Sequence, residues 1–262
     1  MKFSRKNLGI PYALFLTLFV IAPLLVVVYY VFTDGTGHFT IENFISFFTS
    51  YNTLGTLCYS LLIALTTTLV CLIIAYPVAY ILAQSKLKSK SVIVMLFVTP
   101  MWINFTLRIS ALKEILTLIE GNLAYYPFLN TIIGMTYDFL PFMVLPLYTT
   151  LMKLDKSLLE AATDLGANGI KRFLRVTLPL STPGIISSVT MVFLPAMTNY
   201  VILDMLYNST YIMGSLIGSY FASYNWNGGS TISLILLAII LVVTLFTNKL
   251  GDQKQNNRGN IL

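Results

Sequence analysis

Six apolar runs, each long enough to cross a bilayer, leave this chain few possible folds. A membrane-crossing helix needs roughly 20 residues, and runs of that kind lie near residues 8–32, 57–83, 91–107, 128–152, 184–206 and 229–248. Hydrocarbon offers no partner for a bare N–H or C=O, so such runs form helices, which satisfy their own backbone. The expectation is an all-α polytopic membrane protein with six transmembrane helices, a single transmembrane domain over residues 1–262. Composition agrees: 56% of the 262 residues are hydrophobic and 10% charged, more apolar than a soluble core requires.

The charges divide the connections into two kinds. Lys2, Arg5 and Lys6 precede the first run, Lys86, Lys88 and Lys90 separate the second and third, Lys153 through Arg175 follow the fourth, and Lys249, Lys254 and Arg258 follow the sixth. The alternate connections are poor in cations, with Arg108 and Lys113 as the exceptions. The positive-inside rule therefore predicts that both termini are cytoplasmic. Clusters of this kind are topology signals, not the basic stripe of a nucleic-acid-binding protein. The first run is longer than the 7–15 apolar residues of a signal peptide and no small-x-small site follows it, so it is read as a helix.

Cys58 and Cys71 fall on one predicted helix, too far apart for a disulfide. His38 has no nearby second ligand, so no metal site is expected. Pro23, Pro77, Pro100, Pro141, Pro146 and Pro195 lie inside five of the six runs. They predict kinked helices around a shared interior, or reflect the ordinary proline content of membrane helices.

One inner connection, residues 153–183, is too structured to be a plain loop. Asp155 is placed to cap a helix carrying Leu158, Ala162 and Leu165 on one face, and Gly166 suits the left-handed residue that ends it. Asn168 is placed to cap a second short helix with Ile170, Phe173 and Leu174 on its apolar side and Lys171, Arg172 and Arg175 on its wet side. Leu178-Pro179 and Thr182-Pro183 return the chain to the membrane. Physical chemistry alone permits two readings: a docking elbow for a soluble partner, or a helix pair lying on anionic lipid.

Glu160-Ala161-Ala162, three residues, Gly166, nine residues, Val176, one residue, then Leu178-Pro179, resembles the EAA loop of binding-protein-dependent ABC importer permeases, with Val176 where Ile is usual. The resemblance implies a coupling helix between the fourth and fifth transmembrane helices that sits in a groove of a cytoplasmic ATPase. Glu160, Ala161, Ala162, Asp164, Gly166, Leu178 and Pro179 are its implied coupling residues. The chain has no G-x-x-x-x-G-K-[ST] phosphate loop. ATP and Mg would therefore be held by partner subunits; no cofactor and no catalytic residue are expected here.

Further segments resemble the spermidine/putrescine permeases within that family: Ile10-Pro11-Tyr12, Phe39 to Phe44, Leu140 to Tyr148, Leu194 to Met197, and Asn225-Trp226 before Gly229-Ser230-Thr231. That implies a bacterial-type plasma or inner membrane protein. Its implied partners are a second, related permease subunit, two cytoplasmic ATP-binding subunits, an extracytoplasmic substrate-binding protein and lipid, with no nucleic acid.

A flexible polycation requires carboxylates for its ammonium groups and aromatic faces for cation-π contact. Asp138 beside Tyr137 and Asp204 beyond Asn199 and Tyr200 are candidates, since an ionised Asp at a helix centre costs about 2.5–3.5 kcal/mol on insertion scales. Asp204 has a structural alternative, at the water interface or paired with Arg108. Trp102 and Asn104, after Pro100, either line the same path or, for Trp102, pack against lipid or another helix. The segment Tyr211 to Tyr224, with Gly214 and Gly218, is too short to span and is expected to be an interfacial or re-entrant helix. An ABC permease for another solute shares all of this except the carboxylates. An ion-coupled secondary transporter would leave the inner elbow unexplained and would carry an inverted repeat, which is not evident.

Overall fold

The computed structural model describes the backbone of residues 9–259 and the side chains of residues 9–245 and 249. Lys2, Arg5 and Lys6, and the side chains of Lys254 and Arg258, lie outside the described residues. The described chain is helical: α1 (Gly9–Val31), α2 (Glu42–Thr49), α3 (Tyr51–Gln84), α4 (Lys90–Trp102), α5 (Phe105–Glu120), α6 (Pro127–Met152), α7 (Lys156–Asp164), α8 (Gly169–Ala196), α9 (Tyr200–Met205), α10 (Met213–Ala222) and α11 (Trp226–Gly259). Among the described residues the one β contact is an isolated bridge between Thr33 and Phe39. By length and apolarity α1, α3, α6, α8 and the Trp226–Leu245 part of α11 can each cross a membrane, and α4 with α5 makes a sixth, broken span.

Three boundaries differ from the sequence expectation. The third run, expected to be one helix over 91–107, is α4 and α5, bent by 99° at residues 103–104. Pro100 stands in a tight 3₁₀ turn at Thr99–Trp102, and Asn104 starts a new helix by accepting the Thr106 and Leu107 N–H groups at 2.9 and 3.4 Å. The fifth run, expected at 184–206, is α8, a turn after Ala196, and the short α9. The second short helix expected after Asn168 is the first turn of α8, so the connection expected over 153–183 ends near residue 168.

Proline explains that continuity. Pro179 brings no N–H, and one residue before it the helix widens into a π turn, with the Leu178 N–H donating to the Phe173 carbonyl. The same device precedes Pro23, where the Ala22 N–H reaches the Thr17 carbonyl. Widening by one residue absorbs the proline without breaking the helix. Of the expected kinks, the break after Pro100 is the sharp one.

The chain forms two compact units, one from Met1–Cys58 with Tyr211–Leu241 and one from Tyr59–Thr210 with Val242–Leu262. In the first, two asparagines close the carbonyl end of α1. Asn43 donates to the carbonyls of Val31 and Thr33, both at 2.9 Å, and Asn227 to those of Tyr30 and Thr33 at 2.9 and 2.6 Å. The loop beyond is drawn in by Asp34, whose carboxylate accepts from the Thr36 hydroxyl and the Thr36 and His38 N–H groups. These bonds, the Thr36 hydroxyl foremost, hold the Asp34 carboxyl below its ordinary range.

In the second unit α6 is the central element, with Met135, Met143, Val144 and Leu147 fully buried. Glycines allow its neighbours close. A Cβ on Gly184 of α8 would lie 2.5 Å from Thr150 Oγ1, and one on Gly134 of α6 would lie 2.5 Å from Leu206 Cδ1 and 2.9 Å from Ile202 Cγ2. Helix α3 joins α8 through the 2.7 Å hydrogen bond between Tyr76 Oη and Ser181 Oγ. Cys58 and Cys71 are both free thiols.

Candidate functional site

The elbow between α6 and α8 is built from local signals. Asp155 caps α7, its carboxylate accepting the Ser157 N–H at 2.9 Å, and that bond holds the carboxyl below its usual range. At the other end the Gly166 N–H donates to the Thr163 carbonyl at 2.9 Å and the Ala167 N–H to the Ala162 carbonyl at 3.0 Å. With Gly166 at φ +80°, this is a complete Schellman ending. Asn168 then caps α8, accepting the Lys171 N–H at 2.8 Å, and Arg172 Nη1 reaches back across the turn to Thr163 Oγ1 at 3.3 Å. Phe173 fastens the elbow to α3, meeting Tyr76 and Tyr80 edge to face at 5.6 Å each.

What the elbow leaves uncovered is apolar. Leu159 is the buried residue of α7, whereas Leu158 is exposed and Leu165 and Ile170 are 89% and 70% exposed. Glu160, Ala161, Asp164 and Gly166 lie on the open surface beside them, and Ala162 is half-buried. Leu178 and Pro179 follow directly on the π turn, in the body of α8.

Deeper in the second unit, Asp138 of α6 is 4% exposed and Arg108 of α5 is 7% exposed. Arg108 Nη2 donates to Asp138 Oδ1 in an ion pair. The pair is incompletely satisfied, since Arg108 Nε–H and Nη1–H have no hydrogen-bond partner among the described residues. This corrects one alternative: Arg108 pairs with Asp138, not with Asp204, which is exposed on α9.

Residues 75–253 match the model of the binding-protein-dependent transport system inner membrane component family. The chain is 37% identical to the spermidine/putrescine transport system permease protein PotB of Haemophilus influenzae, over 97% of this chain and 96% of that one. It is 35% identical to PotB of Escherichia coli strain K12, over 76% and 79%. The chain belongs to this family of ABC importer permeases. A crystal structure of a bacterial alginate ABC transporter, in complex with an alginate pentasaccharide-bound periplasmic protein, shares the fold. It has a TM-score of 0.73 at 14% identity, covering 95% of this chain and 93% of that one. As a family member the chain is a multi-pass protein of the bacterial inner membrane.

The other path candidates of this permease are dispersed. Tyr137 lines an apolar cleft of about 390 Å³ with Ile93, Leu96, Phe97, Pro100, Leu140 and Pro141. Trp102 is 86% exposed. Asn104 is occupied as the cap of α5. Asn199 precedes α9, half-buried, and Tyr200 opens it, exposed. The expected short helix between the last two spans is α10; a Cβ on Gly218 would meet nothing within 4 Å among the described residues, so no close helix contact there uses that glycine.

Sequence reasoning missed two contacts. Lys113 Nζ lies 4.2 Å from the centre of the Tyr207 ring, and Asn208, which is buried, donates to Tyr59 Oη at 3.1 Å and Thr131 Oγ1 at 2.9 Å. A signal for the first was available: Lys113, like Arg108, breaks the positive-inside pattern.

Proposed function

We propose that this permease carries polyamines such as spermidine and putrescine into the cytoplasm, powered by separate ATPase subunits that grip the α7 elbow. The observation that carries the reading is the near full-length similarity to PotB, whose name gives spermidine and putrescine as its solutes. The bare apolar surface of Leu158, Leu165 and Ile170 around Glu160, Ala161 and Gly166 supports the coupling role. It offers a soluble groove both shape and apolar area, and the small residues permit close approach.

In this reading both termini and the elbow are cytoplasmic. A second, related permease subunit completes the path, two ATP-binding subunits hold ATP and Mg, and a substrate-binding protein delivers cargo from outside. ATP favours the outward-facing arrangement and hydrolysis resets it. Because Phe173 clamps α8 to α3 and α8 continues unbroken from the elbow into the membrane, motion at α7 reaches the spans through one rigid rod. The membrane potential already favours cation entry by about 2.3 kcal/mol per charge per 100 mV. ATP then enforces direction.

Reconstitution with the partner subunits and binding protein, with ATP and labelled spermidine, tests this. Uptake should require ATP, be competed by putrescine and ignore an organic anion; free competition by the anion rejects the polyamine assignment. Gly166→Val should abolish co-purification of the ATPase subunits while leaving membrane insertion intact, and normal co-purification rejects the coupling role.

A further inference from the structure

Two of the cations on α5 are in unexpected places. Arg108 and Lys113 are the two that break the positive-inside pattern, and each meets the kind of group that recognises an organic ammonium. Arg108 holds a buried carboxylate, Asp138, and Lys113 lies over an aromatic face, Tyr207. The ion pair does not have the character of one kept for stability. A buried ion pair contributes only when its remaining donors are satisfied, and Arg108 has two N–H groups with no partner among the described residues. Tyr207 holds φ +58° where helix α9 ends, a backbone conformation that glycine adopts without strain and tyrosine does not.

The two groups also belong to one neighbourhood. Gly134 and Asp138, one turn apart, share a face of α6, and Gly134 is where Leu206, the residue before Tyr207, packs against that helix. Helix α5 touches both α6 and α9. Arg108 and Lys113 are about 7.5 Å apart along its axis. Both therefore ride on one helix, which begins at the 99° break, so a displacement of α5 moves both cations.

We propose that Arg108 and Lys113 are resident cations that occupy Asp138 and Tyr207 in the resting permease, and that the ammonium groups of an incoming polyamine take their place. The proposal rests on the polyamine reading above for its ligand but not for its latch. It makes α5 a specificity element: a ligand with two or more spaced ammonium groups replaces both contacts, a monoamine replaces one, and an anion replaces neither.

The test uses the importer complex in nanodiscs without binding protein, with spermidine titrated in and ATP hydrolysis measured before addition. Lys113→Gln removes one competitor, so the spermidine Kd should fall about two- to fivefold and hydrolysis without spermidine should rise; Lys113→Arg should restore both. Arg108→Gln with Asp138→Asn removes the ion pair without stranding a buried charge and should also raise hydrolysis without spermidine. A Kd that stays the same or rises in Lys113→Gln overturns the competition. Unchanged resting hydrolysis in both variants overturns the latch. Absence of spermidine binding by the wild-type complex rejects the polyamine reading alone, and resting hydrolysis then decides the latch.

Discussion

Asp155 shows how much of the elbow depends on single residues. Its carboxylate caps α7 and its pKa is depressed in the fold by the Ser157 N–H. The cap's contribution is therefore fully present above the unfolded value of about 3.9 and is lost as pH falls through the lower folded value. With Ser157 selectively labelled in the full chain, its amide shift should titrate in acid, and Asp155→Asn, which keeps a capping oxygen, should abolish that titration. An unchanged titration in the Asn variant would show that another group is responsible. Asp155, Gly166 and Asn168 were legible in the sequence because a cap acts on residues two or three positions away. Arg108 and Asp138 were not: 30 positions separate them, and it is the packing of α5 on α6 that brings them together.

At the level of elements, packing depends on where side chains are missing. Helices α6 and α8 approach closely at Gly184 because Thr150 occupies the space a side chain would need. Gly184→Ala should destabilise the permease by about 1–3 kcal/mol through overpacking, read as a lower thermal midpoint in detergent. Thr150→Ala, by removing Oγ1 and Cγ2, should recover part of the loss; no recovery would place the strain elsewhere. The helices themselves were readable from apolar runs, since a span of roughly 20 residues has one outcome in lipid. Their ends were less so. Pro179 looks like a stop signal, yet the π turn at Phe173–Thr177 carries α8 through it, and Phe173, which opens that turn, packs edge to face on Tyr76 and Tyr80, a contact between distant positions.

For the whole molecule, the alternation of basic and neutral connections makes a testable map. In a Cys58 and Cys71-free background, Ser89→Cys and Lys171→Cys should react with an impermeant maleimide in inside-out vesicles. Tyr125→Cys and Ser209→Cys should react in right-side-out ones; the reverse pattern would invert the coupling reading as well. Composition and hydropathy made the membrane class and helical fold legible, and motif spacing the family. The candidate cargo path was legible only as a short list of residues, because contacts such as Lys113 over Tyr207 arise from tertiary approach between elements with no shared pattern.

The Arg108–Asp138 pair also bears on how the chain enters the membrane. Each charge presented singly to lipid costs about 2.5–3.5 kcal/mol at a helix centre, and neither α4 nor α5 is a full-length span by itself. The lowest-energy order of biogenesis therefore retains α4 and α5 at the insertion machinery until α6 emerges, and releases the three to lipid together. A nascent chain truncated before Asp138 should accordingly remain cross-linkable to that machinery, whereas one extended past Met152 should not.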